Sequence, residues 1–240
     1  MVQAGEKPIV TITGVTGYVG CVVAQEFLKD GGYTVRGTVR SKTNEAKIGP
    51  LRDGLGELFN QLELVEADLL NDASIAAACA GATYVVHTAS PFIFGDSEDE
   101  LVKPAIQGTN AVMKACSQHG VKRLVVTSSG GAIFCVSAKD VPPEGSKWNE
   151  SIWSNVDREE GILTYFKGKT LAEKSAWDYV EKQAEGSKFE LSVICPFFIQ
   201  GPSFCSGDGI SENWMKSWLD GTKASVAKTW TQIVDVRDVA

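Results

Sequence analysis

Tyr165 and Lys169 stand four residues apart in Leu163-Thr164-Tyr165-Phe166-Lys167-Gly168-Lys169, a spacing that puts a phenol and an ammonium on one helix face. A phenol is a weak acid, and a neighbouring cation stabilises its phenolate, so such a pair is suited to donating a proton to an alkoxide at neutral pH. Thr127-Ser128-Ser129 closes an apolar run with three hydroxyls, which serve either chemistry or the backbone of a turn. Far upstream, Gly14-x-x-Gly17-x-x-Gly20 follows the β-branched residues 9–13 and opens into helical spacing. Strand, glycines and helix in that order make an anion site. The glycines allow a tight turn, close approach of a pyrophosphate and close helix–strand packing, and the helix N-terminus attracts the negative charge.

These groups need a scaffold that brings distant segments together. Residues 9–13, 33–40, 62–68, 84–90, 122–129 and 189–195 are short apolar runs, with helical patterns after the first, over residues 72–79 after the third, and opening at Ser97 after the fourth. Ser97 and Glu100, within the acidic stretch 96–100, form a capping box, so that stretch is a helix start and not a binding site. Strands alternating with helices predict a doubly wound parallel sheet of the α/β class, with its ligand crevice at the strands' carboxyl ends. The tip of the second strand lies where a dinucleotide's adenosine ribose should sit. There Arg40, Lys42 and Lys47 take the place of the usual carboxylate, which suits a 2′-phosphate and hence NADP(H). Asp68-Leu69, ending the third strand, faces the adenine edge.

With 240 residues, 43% of them hydrophobic, the chain can bury one substantial core and a small appended lobe. We place the nucleotide-binding domain at residues 1–195 and a partial substrate-binding lobe at residues 196–240. A net charge of −7 argues against nucleic acid as a partner, and no apolar run reaches the length of a membrane span. Six cysteines without a C-x-x-C pair read as reduced core thiols and point to a cytoplasmic protein, while two histidines are too few for a metal constellation. Helices flanking the sheet offer a face for a homodimer. All six Trp fall between 148 and 230, with Trp214 and Trp218 one helical turn apart, so that region lines either an apolar pocket or the core.

Taken together, Thr13-Gly14-x-x-Gly17-Tyr18-x-Gly20, Thr127-Ser128-Ser129, Tyr165-x-x-x-Lys169 and the stretch from Pro196 to Pro202 resemble the extended short-chain dehydrogenase/reductases. Thr34-Val35-Arg36-Gly37-Thr38-Val39-Arg40, His87-Thr88-Ala89-Ser90-Pro91, Val102-Lys103-Pro104 and Lys169-Thr170-Leu171-Ala172-Glu173 are similar to the dihydroflavonol 4-reductase, cinnamoyl-CoA reductase and aldehyde reductase branch. The resemblance implies an NADPH-dependent reduction of an aldehyde or ketone to an alcohol. It implies that Ser129 orients the carbonyl, that Tyr165 donates the proton, and that Lys169 holds the nicotinamide ribose beside the phenol. Cofactor contacts would fall on Gly14, Thr16, Gly17, Tyr18, Val19, Arg40, Lys47, Asp68 and Leu69. Further contacts would come from Thr88, Ala89, Ser90, Thr127, Pro196, Ile199 and Ser211. In relatives the stretch ending at Ala240 is followed by further elements of the substrate lobe, so a chain short at its C-terminus is expected. The alternative is a non-catalytic NADP(H)-binding scaffold or sensor subunit.

Overall fold

The structure is a computed structural model that describes residues 7–90, 97–137, 141–143, 145–158, 161–184, 189–205, 210–223, 225 and 232–240. Pro91, Asp96 and Trp230, named above, lie outside the described residues. In chain order the elements are β1 (Ile9–Thr13), α1 (Tyr18–Asp30), β2 (Thr34–Val39), α2 (Glu45–Leu55), β3 (Leu62–Glu66), α3 (Asp72–Cys79), β4 (Tyr84–His87), α4 (Glu98–Gln118), β5 (Arg123–Thr127), α5 (Thr164–Glu181), β6 (Glu190–Ile194), β7 (Phe198–Gln200), α6 (Ile210–Leu219), β8 (Ile233–Asp235) and α7 (Val236–Val239). Six strands form one parallel sheet in the order β3-β2-β1-β4-β5-β6, and β7 and β8 form a second, two-stranded parallel pair.

The order reverses between β1 and β4, where Ile12 pairs with Gly37 on one side and Val86 on the other. In a doubly wound sheet this switch point opens the ligand crevice, because the flanking crossovers leave toward opposite faces. β1 can occupy the centre because its side chains are apolar or paired: Val10 and Ile12 are fully buried, and the Thr11 hydroxyl donates to the Ala78 carbonyl oxygen at 3.3 Å. α1 stops at Gly31, whose left-handed backbone (φ 71°) lets its N–H reach the Phe27 oxygen at 3.2 Å.

The Ser97 hydroxyl accepts the Glu100 N–H at 3.2 Å, the N-cap half of the capping box expected there, and donates to the Glu100 carboxylate at 2.9 Å. α2 was not visible in the sequence, where Gly49 and Pro50 interrupt any periodic pattern; Ile48, Leu51 and Leu55 nonetheless bury one face of it. β4 and β5 end two to three residues earlier than their apolar runs. After β4, hydroxyls take over the ladder's hydrogen bonds, with Thr88 donating to the Thr13 oxygen at 2.6 Å and Thr13 accepting the Ala89 N–H at 3.2 Å, whereas after β5 the Ser128 N–H still donates to the Ile194 oxygen at 2.8 Å. Beyond β6, Trp214 stacks on Phe198 with ring centroids 4.6 Å apart and meets Trp218 at 4.1 Å, so this pair packs a helix onto a strand. Cys205 and Val236 are buried in the same cluster as the α1 residues Cys21 and Val22.

Candidate active site

Gly14 lies at the end of β1 with φ 71°, and a Cβ there would come within 2.9 Å of both Cα and Cβ of Ala89, just beyond β4. Only glycine fits so close an approach in the left-handed region. The turn is held by Thr38, whose hydroxyl accepts the Gly14 N–H at 3.0 Å and whose carbonyl accepts that of Val15 at 3.2 Å. Gly20 is as constrained, since a Cβ would lie 2.4 Å from the Gly14 oxygen and 2.8 Å from the Thr88 hydroxyl. α1 then starts at Gly17 as N-cap. Among the described residues no side chain caps it, and its first turn carries no acid. The leading N–H groups of a helix have no intrahelical acceptor, so this end presents unsatisfied donors and the positive end of the dipole. Such a cradle fits the pyrophosphate of a dinucleotide.

On the other side of the switch point, Thr13 Oγ1 lies 2.8 Å from Nδ1 of His87, which is 4% exposed. Burial, and secondarily the charge of Lys169, pushes the imidazole down to about 3, so His87 is a neutral brace between β1 and β4. Thr88, Ala89 and Ser90 follow at the crevice floor, half-buried.

α5 supplies the reactive pair. It packs along α4 so closely at Gly168 that a Cβ would meet Leu101 at 3.3 Å, and this contact aims its first turns at the end of β5. Lys169 reaches the Thr127 carbonyl oxygen at 3.1 Å. Ser129, 9% exposed, accepts the Gly131 N–H at 3.1 Å and opens a short 3-10 turn, Gly130–Ala132. That turn is wedged between two rings: a Cβ on Gly130 would lie 2.4 Å from Phe197, and one on Gly131 would lie 2.3 Å from Phe166. Tyr165 precedes Phe166 in α5, their ring centroids 5.8 Å apart, so the helix turn that carries Tyr165 and Lys169 packs through Phe166 against the Ser129 turn at the carboxyl end of β5. The Gly130 N–H donates to the Pro196 oxygen at 2.8 Å, tying the same point to the segment that leaves β6.

A recess under this point is lined by Leu69, Ala89, Ser90, Thr127 and Lys169 together with the buried Glu173. The Thr127 hydroxyl is buried with no hydrogen-bond partner among the described residues, as expected where a polar ligand group enters. The remaining expected contacts are spread around the crevice. Arg40 follows β2 and Lys47 lies in the first turn of α2, both exposed. Asp68 spends one carboxylate oxygen on the Leu70 N–H at 2.9 Å. Thr16, Tyr18 and Val19 belong to the turn and first residues of α1, but the Tyr18 hydroxyl is committed elsewhere, donating to the Gly201 oxygen at 2.8 Å. Burial, then the charges of Glu212 and Asp235, pushes that phenol up to about 12. Ile199 sits in β7, and the Ser211 carbonyl accepts the Gln200 amide at 2.7 Å.

Sequence reasoning missed the braces Thr38, His87 and Ser154. Ser154 donates to the Gly131 oxygen and accepts the Cys135 N–H, each at 2.8 Å, from a region without periodicity that could have marked it.

A family model described as NAD(P)H-binding matches residues 14–183. The chain belongs to the NAD(P)H-binding extended short-chain dehydrogenase/reductases. Cinnamoyl-CoA reductase 1 of Petunia hybrida is 35% identical over 97% of this chain and 66% of its own length. Dihydroflavonol 4-reductase of Hordeum vulgare is 35% identical over 85% of this chain and 56% of its own. The chain thus spans about 56 to 66% of the length of these two relatives. Among solved structures, yeast methylglyoxal/isovaleraldehyde reductase Gre2 complexed with NADPH superimposes with a TM-score of 0.79 at 26% identity, covering 96% of this chain and 71% of the other. Within this short-chain dehydrogenase/reductase, no described helix is long and apolar enough to cross a membrane, and no described cluster of three or more His, Cys, Asp or Glu side chains is placed to hold a metal ion.

Proposed function

We propose that this short-chain dehydrogenase/reductase is an NADPH-dependent reductase that converts an aldehyde or ketone to an alcohol. The observation that carries this reading is the Lys169 ammonium anchored on the Thr127 oxygen at 3.1 Å, one turn of α5 from Tyr165 and beside the Ser129 turn. When bound, the nicotinamide supplies a hydride to the carbonyl carbon. Ser129 and Tyr165 hold the carbonyl oxygen, and Tyr165 passes its hydroxyl proton to that oxygen as negative charge develops on it. Lys169 stabilises the phenolate left behind and binds the ribose. The donors at the start of α1, with Gly14, Thr16, Gly17, Tyr18 and Val19, take the pyrophosphate; Asp68 and Leu69 flank the adenine. Thr88, Ala89, Ser90, Thr127, Pro196, Ile199 and Ser211 border the rest of the cofactor, and residues 196–240 contribute to the substrate lobe.

A scaffold has no chemical need for serine, tyrosine and lysine together, and the relatives named above are reductases, which does not favour that alternative. A cytoplasmic setting is supported by cysteines left free in the structure, and a homodimer by the helices that flank the sheet. Assay against a panel of aldehydes and ketones should consume NADPH and yield the matching alcohols; a panel that left NADPH untouched would overturn the reading.

Arg40 and Lys47 grip the 2′-phosphate in this proposal. Arg40→Ala should therefore raise KM for NADPH by roughly tenfold or more, the equivalent of one charge-assisted hydrogen bond, with little change for NADH. Equal weakening of both cofactors in steady-state kinetics would remove the 2′-phosphate assignment.

A further inference from the structure

One helical turn beyond Lys169, α5 carries a buried carboxylate that the proposed reduction does not use. Glu173 is 6% exposed, and the hydrogen bonds it makes among the described residues are long: Trp177 Nε1 donates to Oε1 at 3.4 Å and the Cys195 thiol donates to Oε2 at 3.6 Å. A buried carboxylate held by two weak donors needs a counter-charge. The spacing of four residues puts Lys169 on the same face of the helix.

Both side chains line the recess at the end of β5. Of the described residues around it, Lys169 is the one cation and Glu173 the one carboxylate, while His87, pushed down to about 3, is neutral. The lining leaves about 20 Å³ for the centre of a water molecule, which is room for a single ordered water. Partners for that water are at hand in the ammonium, the carboxylate and the Thr127 hydroxyl, which is buried and has no partner among the described residues. We propose that Glu173 is a positioning residue for the reduction: its carboxylate, bridged by one water to Lys169 and Thr127, is the counter-charge that keeps the ammonium protonated and seated on the Thr127 oxygen. Its consequence for catalysis rests on the reductase reading, in which Lys169 stabilises the Tyr165 phenolate; the pairing of the two charges does not.

The surrounding elements leave Lys169 to play this part. α4 faces the recess with Ala105 and Thr109, β5 with Val126 and Thr127, and β4 with the neutral His87. Cys195, just after β6, is pushed up to about 12 by burial and then by the charge of Glu173, so it offers a thiol proton and no charge of its own. Glu150, exposed, acts on Cys195 in the same sense and brings a second negative charge to that side. On α5 itself, Lys174 lies over the Trp153 ring, 5.2 Å from its centroid, and Lys167 is paired with Glu98.

The test compares the unsubstituted chain with Glu173→Gln, which keeps the shape of the side chain and removes its charge. Lys169 is half-buried and open to acetic anhydride, so its acetylation across a range of pH, read by peptide mass, reports how readily the ammonium gives up its proton. In Glu173→Gln the midpoint should fall by about one pH unit, making acetylation below the midpoint about tenfold faster, while the plateau at high pH stays the same. With an accepted aldehyde, the alkaline limb of kcat should move down alongside it. A loosened site would instead raise the plateau and leave the midpoint, and an unmoved midpoint, or an unmoved limb in an active enzyme, would overturn the proposal. A chain that consumes no NADPH would fail the reductase reading, with the acetylation midpoint still deciding whether Glu173 is the counter-charge. If Glu173→Gln does not fold, the infrared spectrum of the unsubstituted chain at neutral pH decides: carboxylate bands alone would uphold the proposal, and a carboxylic-acid band would overturn it.

Discussion

Turnover of an accepted aldehyde by Tyr165→Phe is expected to fall by roughly 10²- to 10⁴-fold, the range a positioned general acid contributes, while NADPH still binds. The substitution removes one oxygen and nothing else. The ring that meets Phe166 at 5.8 Å is retained, so the packing that seats the Ser129 turn against α5 stays in place. Lys169 likewise keeps its bond to the Thr127 oxygen at 3.1 Å. What disappears is the only proton source our reading puts on the carbonyl oxygen, so the loss should appear in kcat with a near-constant dissociation constant for NADPH. Steady-state kinetics and a fluorescence titration of NADPH check the two halves separately. Turnover within a few-fold of the unsubstituted protein would show that the proton comes from elsewhere.

Gly14→Ala should destabilise the fold by about 2–5 kcal/mol and abolish tight NADPH binding. Two effects add. An alanine at φ 71° takes on left-handed strain of about 1–2 kcal/mol, and its methyl must displace Ala89, whose Cα and Cβ lie 2.9 Å away, an overpacking of about 1–3 kcal/mol. Ala89 cannot retreat easily, because its N–H is held by the Thr13 hydroxyl at 3.2 Å. Gly31 separates the two effects, having the same φ of 71° but no heavy atom within 4 Å of its notional Cβ among the described residues. Gly31→Ala should therefore lose only the strain, about 1–2 kcal/mol. Denaturant melts of both variants measure the difference, and equal losses would mean that contact with Ala89 adds nothing. The Gly14 variant should also melt on the order of 10 °C lower, and NADPH should restore little of that, since the cradle for its phosphates is deformed.

Much of this was legible because it is local. The glycine run after residues 9–13 announces a turn with special backbone needs, and the helix over Asp72–Cys79 and the capping box at Ser97 were readable residue by residue. Tyr165 and Lys169 share a helix face by spacing alone. α2 was not legible, because Gly49 and Pro50 break the pattern and its helicity comes from burying Ile48, Leu51 and Leu55 against the sheet. The Trp214–Trp218 pair allowed both a pocket and a packing face, and only its stack on Phe198 decided between them.

By itself, then, the amino-acid order determined the kind of fold and the cast of reactive groups, since periodicity, caps and turn glycines act through neighbours a few residues apart. Tertiary structure decided who meets whom. The strand order 3-2-1-4-5-6 sets His87 against Thr13, the packing of α4 on α5 carries Lys169 to Thr127, and the return of the chain after β7 lays the Gly201 oxygen on the Tyr18 hydroxyl. These contacts span tens to hundreds of residues. Their energies come from burial and crossover geometry, which no local pattern encodes.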